Sequence, residues 1–215
     1  MRLYLVRHGE TEGNLVHMFQ SDVDELSSKG QEQAALLAQR FAKIHVDMII
    51  SSPYSRTRAT AEAIARSKKL PVTVNELLVE KKWPKELEGK PADDPSIQAI
   101  RKLLHEKEHT DPQWRYSDEE RFIDVRERCV QFLTYLQTLS SDMHILVVSH
   151  AHILKVMLSV MIHGPAVSAQ LFRNIFHMLS LHNTGITIAE HVDDQWHLLT
   201  VNDHAHLGDY HRQIT

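Results

Sequence analysis

Apolar residues in this chain follow two different rhythms. Residues 3–6 and 145–148 are apolar throughout rather than alternating, the pattern of strands buried on both faces of a parallel sheet. Residues 47–50 resemble them. Between these runs the apolar positions fall at helical spacing. Residues 29–43 place Ala34, Leu37, Phe41 and Ile44 along one face, behind Ser27-Ser28 as a ready cap. Residues 54–67 follow Ser52-Pro53, which reads as an N-cap with proline in the first turn. Residues 119–139 carry Phe122, Val125, Cys129, Phe132, Leu133 and Leu136, and residues 153–162 form a short apolar helix stopped by Gly164-Pro165. Near the end, residues 179–182, 186–191 and 196–201 read as short strands joined by tight turns, an antiparallel edge.

Strands interleaved with helices predict an α/β fold: a three-layer α/β/α domain over residues 1–215 with a mostly parallel central sheet. Residues 81–118 lack a strand pattern and are rich in Lys, Glu, Pro and Trp, so they are expected to form a mainly helical insertion over the carboxyl edge of that sheet. Composition changes this picture little. Hydrophobic residues make up 42% and charged residues 24% of the 215, a globular balance, and the net charge of −4 advertises neither nucleic acid nor a membrane surface as a partner. The single cysteine, Cys129, excludes an internal disulfide framework and a multi-cysteine metal site. The N-terminal stretch turns charged too early for a signal peptide, and a cytoplasmic location is expected. Nothing in the pattern fixes an oligomeric state.

The candidate chemistry lies at strand ends. Open α/β sheets bind ligands outside the carboxyl ends of their strands. Here three such ends carry Arg7-His8-Gly9, Ser51-Ser52-Pro53 and Ser149-His150, drawn from 16 histidines in all. An imidazole beside a guanidinium suits attack on phosphorus, whose transfer needs positioning and positive charge around the oxygens. Gly9 is expected to let the backbone turn sharply toward an anion. With Ser52 as cap, Arg56 falls in the first turns of its helix, near the positive dipole end, whereas Arg58 faces away.

These segments, Val6-Arg7-His8-Gly9-Glu10-Thr11 with Asn14, Ser51 to Ala61, Val147-Val148-Ser149-His150, Asn183-Thr184-Gly185 and Asn202-Asp203-His204, resemble the histidine phosphatase superfamily, the phosphoglycerate-mutase-like fold. They occur in family order and span almost the whole chain. The resemblance implies His8 as nucleophile, with Arg7, Arg56 and His150 as catalytic residues that also bind phosphate, and Asn14 and Gln20 as further phosphate or substrate contacts. It also implies a glutamate acid. Leu78-Val79-Glu80 ahead of Glu88-Gly89 fits the family pattern and points to Glu80, with Glu76, Glu86 and Glu88 as rivals.

Two departures stand out. Met18 and Ser21 replace an arginine and a glycine of the family's loop, and Lys81-Lys82-Trp83-Pro84-Lys85-Glu86 replaces a glycine–tryptophan-rich stretch. No cofactor or metal is implied, and His152, His204 and His206 are expected to be structural or rim residues. The expected activity is hydrolysis of small-metabolite phosphomonoesters through a phosphohistidine on His8. The alternatives are a cofactor-dependent phosphoglycerate mutase, whose members are typically longer with a tyrosine- and proline-rich insertion, and a non-catalytic phosphate-binding or interaction module. The run Lys81, Lys82, Lys85, Lys90, Arg101 and Lys102 reads either as a solvated face or as a basic lid. Trp83 and Trp114 read as core aromatics or as stacking surfaces.

Overall fold

The computed structural model describes residues 1–111 and 113–208; residues 209–215 of the expected domain and Pro112 of the expected insertion lie outside them. In chain order the elements are β1 (Arg2–Arg7), α1 (Glu12–Leu15), α2 (Ser28–Phe41), β2 (Met48–Ser51), α3 (Ser55–Lys68), β3 (Val72–Val74), α4 (Pro95–Thr110), α5 (Phe122–Gln137), β4 (His144–Ser149), α6 (Ala151–His163), α7 (Ala169–Phe176), β5 (Ile186–Val192) and β6 (Gln195–Asp203). The strands make one sheet in the order β3-β2-β4-β1-β5-β6. The first four of that order run parallel, β5 is antiparallel to β1, and β6 is antiparallel to β5.

The unbroken apolar runs are explained by burial on both faces. In β1, Leu3 and Leu5 pack toward α5 and α6, while Tyr4 and Val6 pack toward α2 and α3; β4 divides likewise, with Ile145 and Val147 on one side and Leu146 and Val148 on the other. Phe132, Val125 and Met157 fill the first layer, and Phe41, Leu37 and Ile64 the second. Burying each such side chain contributes about 1.5–3 kcal/mol. The expected three-layer α/β/α architecture is therefore present.

Several expectations need correction. Residues 179–182 form a loop rather than a strand. The carbonyl of Leu181 accepts from Arg7, the amide of His182 donates to the Asn202 side chain, and the Leu179 amide and His182 carbonyl bond within local turns, so no neighbouring strand pairs with this segment. Ser52 does not cap α3. The helix starts two residues later behind Tyr54, which makes no side-chain cap, and the Ser52 hydroxyl is engaged by His150 instead. The insertion contributes α4 and a 3-10 turn at Lys85–Leu87, joined by irregular backbone. The elements α1 and β3 are too short to show a period, whereas α7 carries Leu171, Phe172, Ile175 and Phe176 at helical spacing, a signal that the sequence reading missed.

Candidate active site

Parallel pairing of β1 with β4 sets Arg7 opposite Ser149, so His8 and His150 leave the sheet side by side. The amide of His8 donates to the Ser149 carbonyl at 3.0 Å, and the two rings meet edge to face with centroids 5.2 Å apart. The His8 Nδ1 lies 2.7 Å from the Gly9 carbonyl oxygen. A carbonyl only accepts, so Nδ1 carries the proton and Nε2 keeps its lone pair. Burial, then the charges of Arg7 and Arg56, hold the His8 pKa well below its ordinary 6.5. His8 is thus a neutral imidazole with a free basic nitrogen among fixed cations.

The cations are incompletely satisfied. Arg7 donates through Nη1 to the Leu181 carbonyl at 2.8 Å, and burial lowers its pKa to about 10. Arg56 reaches from the first turn of α3, donates to the Ser21 carbonyl at 2.6 Å and lies 5.0 Å over the Tyr54 ring. In both residues Nε is buried without a partner among the described residues, as is Nδ1 of His150. The other nitrogen of His150, Nε2, sits 2.9 Å from the Ser52 hydroxyl. With Ser52 donating, Nδ1 of His150 holds the proton and is an idle donor as well. Burial, then His8 and Arg56, keeps His150 neutral well below pH 6.5. Arg58, as the helical angle predicted, is exposed and pairs with Glu62.

Asn14 and Gln20 frame the nucleophile's loop. The Asn14 Oδ1 accepts from the Thr11 amide and from Asn183 Nδ2, which also donates to the His8 carbonyl at 2.9 Å. Gln20 accepts from the Thr11 hydroxyl and packs against Gly13. Gly9 also serves a packing need: a Cβ there would lie 2.6 Å from the Gly30 carbonyl oxygen, so the glycine admits α2.

Glu80 and Glu88 line the cavity in front of His8; Glu76 and Glu86 do not. Glu80 is the nearer electrostatically, because it is the carboxylate that most opposes the pKa depression of both Arg7 and Arg56. Its carboxyl oxygens accept from the amides of Lys81, His152 and Ile153, the last two in the first turn of α6. The cavity occupies about 1350 Å³. Its rim joins Phe19 and Trp83, in edge-to-face contact at 5.4 Å, with Arg101 over Phe19 and Lys81 over Trp83. The basic run therefore divides. Lys81, Lys82, Lys85 and Arg101 line the cavity, whereas Lys102 pairs with Glu106 on an exposed helix face. Trp114 lies outside the cavity beside Tyr116.

The histidines expected to be structural or at the rim have ring and hydroxyl neighbours. His152 is set among Trp83, Phe172 and Phe176. His206 shares a hydrogen bond with the Thr184 hydroxyl, and its pKa falls to about 4 through burial, while His204 lies against the His182 ring. Among the described residues no group of three or more His, Cys, Asp or Glu side chains is placed to hold a metal ion, and no helix is long and apolar enough to cross a membrane. Sequence reasoning missed Ser52 as the partner of His150 and Asn183 as a support of His8.

Comparison with known proteins decides the family. The sequence model of the histidine phosphatase superfamily (branch 1) matches residues 3–204. The chain belongs to the histidine phosphatase superfamily. Among curated relatives within that superfamily, a probable phosphoglycerate mutase of Erwinia tasmaniensis is 30% identical over 97% of this chain and 96% of its own. Phosphoserine phosphatase 1 of Hydrogenobacter thermophilus is 44% identical over 37% of this chain, a match spanning 38% of that protein. Among solved structures, a phosphoserine phosphatase mutant from Entamoeba histolytica, in complex with phosphoserine, is 27% identical with a TM-score of 0.79, covering 96% of this chain and 98% of its own.

Proposed function

We propose that this histidine phosphatase superfamily member hydrolyses phosphomonoesters of small metabolites through a phosphohistidine on His8. The observation that carries this reading is the convergence of three buried, partnerless nitrogens, Arg7 Nε, Arg56 Nε and His150 Nδ1, beside a neutral His8 with a free Nε2. A buried donor without an acceptor costs about 1–3 kcal/mol. Phosphoryl oxygens would satisfy all three donors and accumulate charge where the guanidiniums lie.

In the first step Nε2 of His8 attacks phosphorus as the ester P–O bond breaks, and Glu80 gives its proton to the departing oxygen. In the second, the Glu80 carboxylate takes a proton from water, the new O–P bond forms, and the N–P bond breaks to release inorganic phosphate and neutral His8. Asn14 and Gln20 hold the loop over the phosphate. The phosphoserine phosphatases among its relatives support a small phosphorylated metabolite as substrate, and the cations at the cavity rim suit a second anionic group.

The test is turnover of p-nitrophenyl phosphate between pH 5 and 8 in EDTA, with wild type beside His8→Ala. Turnover that resists EDTA and disappears in the variant is expected; substantial activity remaining in His8→Ala overturns the phosphohistidine route. The Erwinia relative gives a mutase reading its specific support. Rapid conversion of 3-phosphoglycerate to 2-phosphoglycerate, with catalytic 2,3-bisphosphoglycerate present, would replace hydrolysis by that reading.

A further inference from the structure

The residues between the 3-10 turns at Glu76–Leu78 and Lys85–Leu87 belong to no helix or strand, yet they carry Glu80. No ladder of backbone bonds fixes them. The job falls to an ion pair, Arg128 of α5 with Glu120 just ahead of that helix. Arg128 donates through Nη1 to the carbonyls of Leu77 at 2.7 Å and Val79 at 3.1 Å, and through Nε and Nη2 to the two oxygens of Glu120 at 2.7 and 2.8 Å. Glu120 in turn accepts from the Lys82 amide at 2.9 Å and donates its own amide to the Lys82 carbonyl at 2.9 Å. One ion pair thus grips the backbone on both sides of Glu80.

We propose that Arg128 and Glu120 are positioning residues that set where Glu80 presents its proton, an inference that rests on the acid role assigned to Glu80 above. Arg128 lines the cavity, so a direct role in holding phosphate is the rival. Its donors decide against that. The three bonds to Leu77, Val79 and Glu120 Oε1 and the fourth to Glu120 Oε2 occupy four of the five N–H groups of a guanidinium, whereas Arg7 and Arg56 each leave Nε idle. The anchorage is also rigid at its base, because Val125, Cys129 and Phe132 of the same helix are fully buried. With the backbone tied to α5 and the carboxyl oxygens tied to the start of α6, Glu80 is fixed at both ends. A lysine at 128 would supply a point charge and lose the bidentate fork that spans Glu120 and the two carbonyls.

Two esters of similar shape separate positioning of an acid from a general structural role. Phenyl phosphate releases a basic phenolate and needs a proton, while p-nitrophenyl phosphate releases a stable anion and needs it far less. Values of kcat/KM report the step in which the leaving group departs. Glu80→Gln is expected to lose far more on phenyl phosphate than on p-nitrophenyl phosphate. Arg128→Lys and Glu120→Gln should show the same selectivity at smaller size, about tenfold in the ratio of the two losses. Adding Arg128→Lys to Glu80→Gln should leave that ratio where Glu80→Gln alone put it, because coupled residues are not additive.

Equal losses on both esters in Arg128→Lys and Glu120→Gln, beside a selective loss in Glu80→Gln, overturn the positioning role alone. Selectivity that persists in full on top of Glu80→Gln does the same. An unselective Glu80→Gln overturns the acid reading, and the positioning inference falls with it. Residual turnover of p-nitrophenyl phosphate reports that each variant is folded, and Glu120→Gln, which preserves shape, covers a failure of Arg128→Lys.

Discussion

Nucleophilicity at His8 depends on two separate controls over one ring. The Gly9 carbonyl fixes which nitrogen carries the proton, and the surroundings fix whether a second proton is taken up. Arg7 is the leading charge in that second control, after burial itself. Removing it should therefore raise the His8 pKa, bringing protonation closer to neutrality. In Arg7→Met, the His8 ring proton followed by NMR is expected to titrate at higher pH than in wild type; an unchanged or lower midpoint would mean that burial alone sets the charge state. The placement of Arg7, His8 and His150 at strand ends, and of Arg56 one turn into the following helix, was legible in the sequence, whereas their roles were implied by the family resemblance. Ser52 was misread because the same hydroxyl that could cap α3 is the nearest partner for His150, and only the distance between strands β2 and β4 decides between them.

At the scale of elements, the nucleophile's loop is held by its close fit to α2. The Gly9 amide donates to Thr60, the Glu10 amide to the Gln33 side chain, and the buried Glu10 carboxylate accepts from Ser27 and pairs with Lys29 at the start of α2. Gly30 makes this contact possible, since a Cβ there would lie 2.0 Å from the Glu10 carbonyl oxygen. Alanine in place of a helical glycine ordinarily gains about 1 kcal/mol. Here the clash with backbone should reverse the sign and cost about 1–3 kcal/mol net, as overpacking does. Gly30→Ala is expected to melt below wild type and to lose activity; a higher melting temperature would show that α2 moves aside freely. The central strands were readable because both of their faces are buried, which makes them apolar at every position. Residues 179–182 alternate as a short strand would, but the Leu181 carbonyl serves Arg7 and the His182 amide serves Asn202, a use that no periodicity records.

For the molecule as a whole, the buried neutral histidines tie stability to pH. His8, His150 and His152 all have pKa values held well below 6.5, chiefly by burial. Below pH 6.5 the unfolded chain binds protons at these sites and the folded chain does not, so the folded state loses ground as pH falls from there toward the folded values. Each group contributes about 1.4 kcal/mol per pH unit inside that window. The urea midpoint is expected to be steady from pH 8 to 7 and to fall steeply between pH 6.5 and 5. A flat profile across that range would mean the site admits protons while folded. Inorganic phosphate should partly restore the midpoint, because it binds only the folded form.

The order β3-β2-β4-β1-β5-β6 has a consequence for a chain that is cut. A break in the long insertion between β3 and β4 would yield two pieces, one bearing His8 and the other His150. These pieces would not lie side by side. The β4 strand of the second piece is wedged between β2 and β1 of the first, and β1 is wedged in turn between β4 and β5. The halves are interlaced like the fingers of two hands, and neither owns a complete set of phosphate donors. Reassociation and catalytic competence are for this protein a single event.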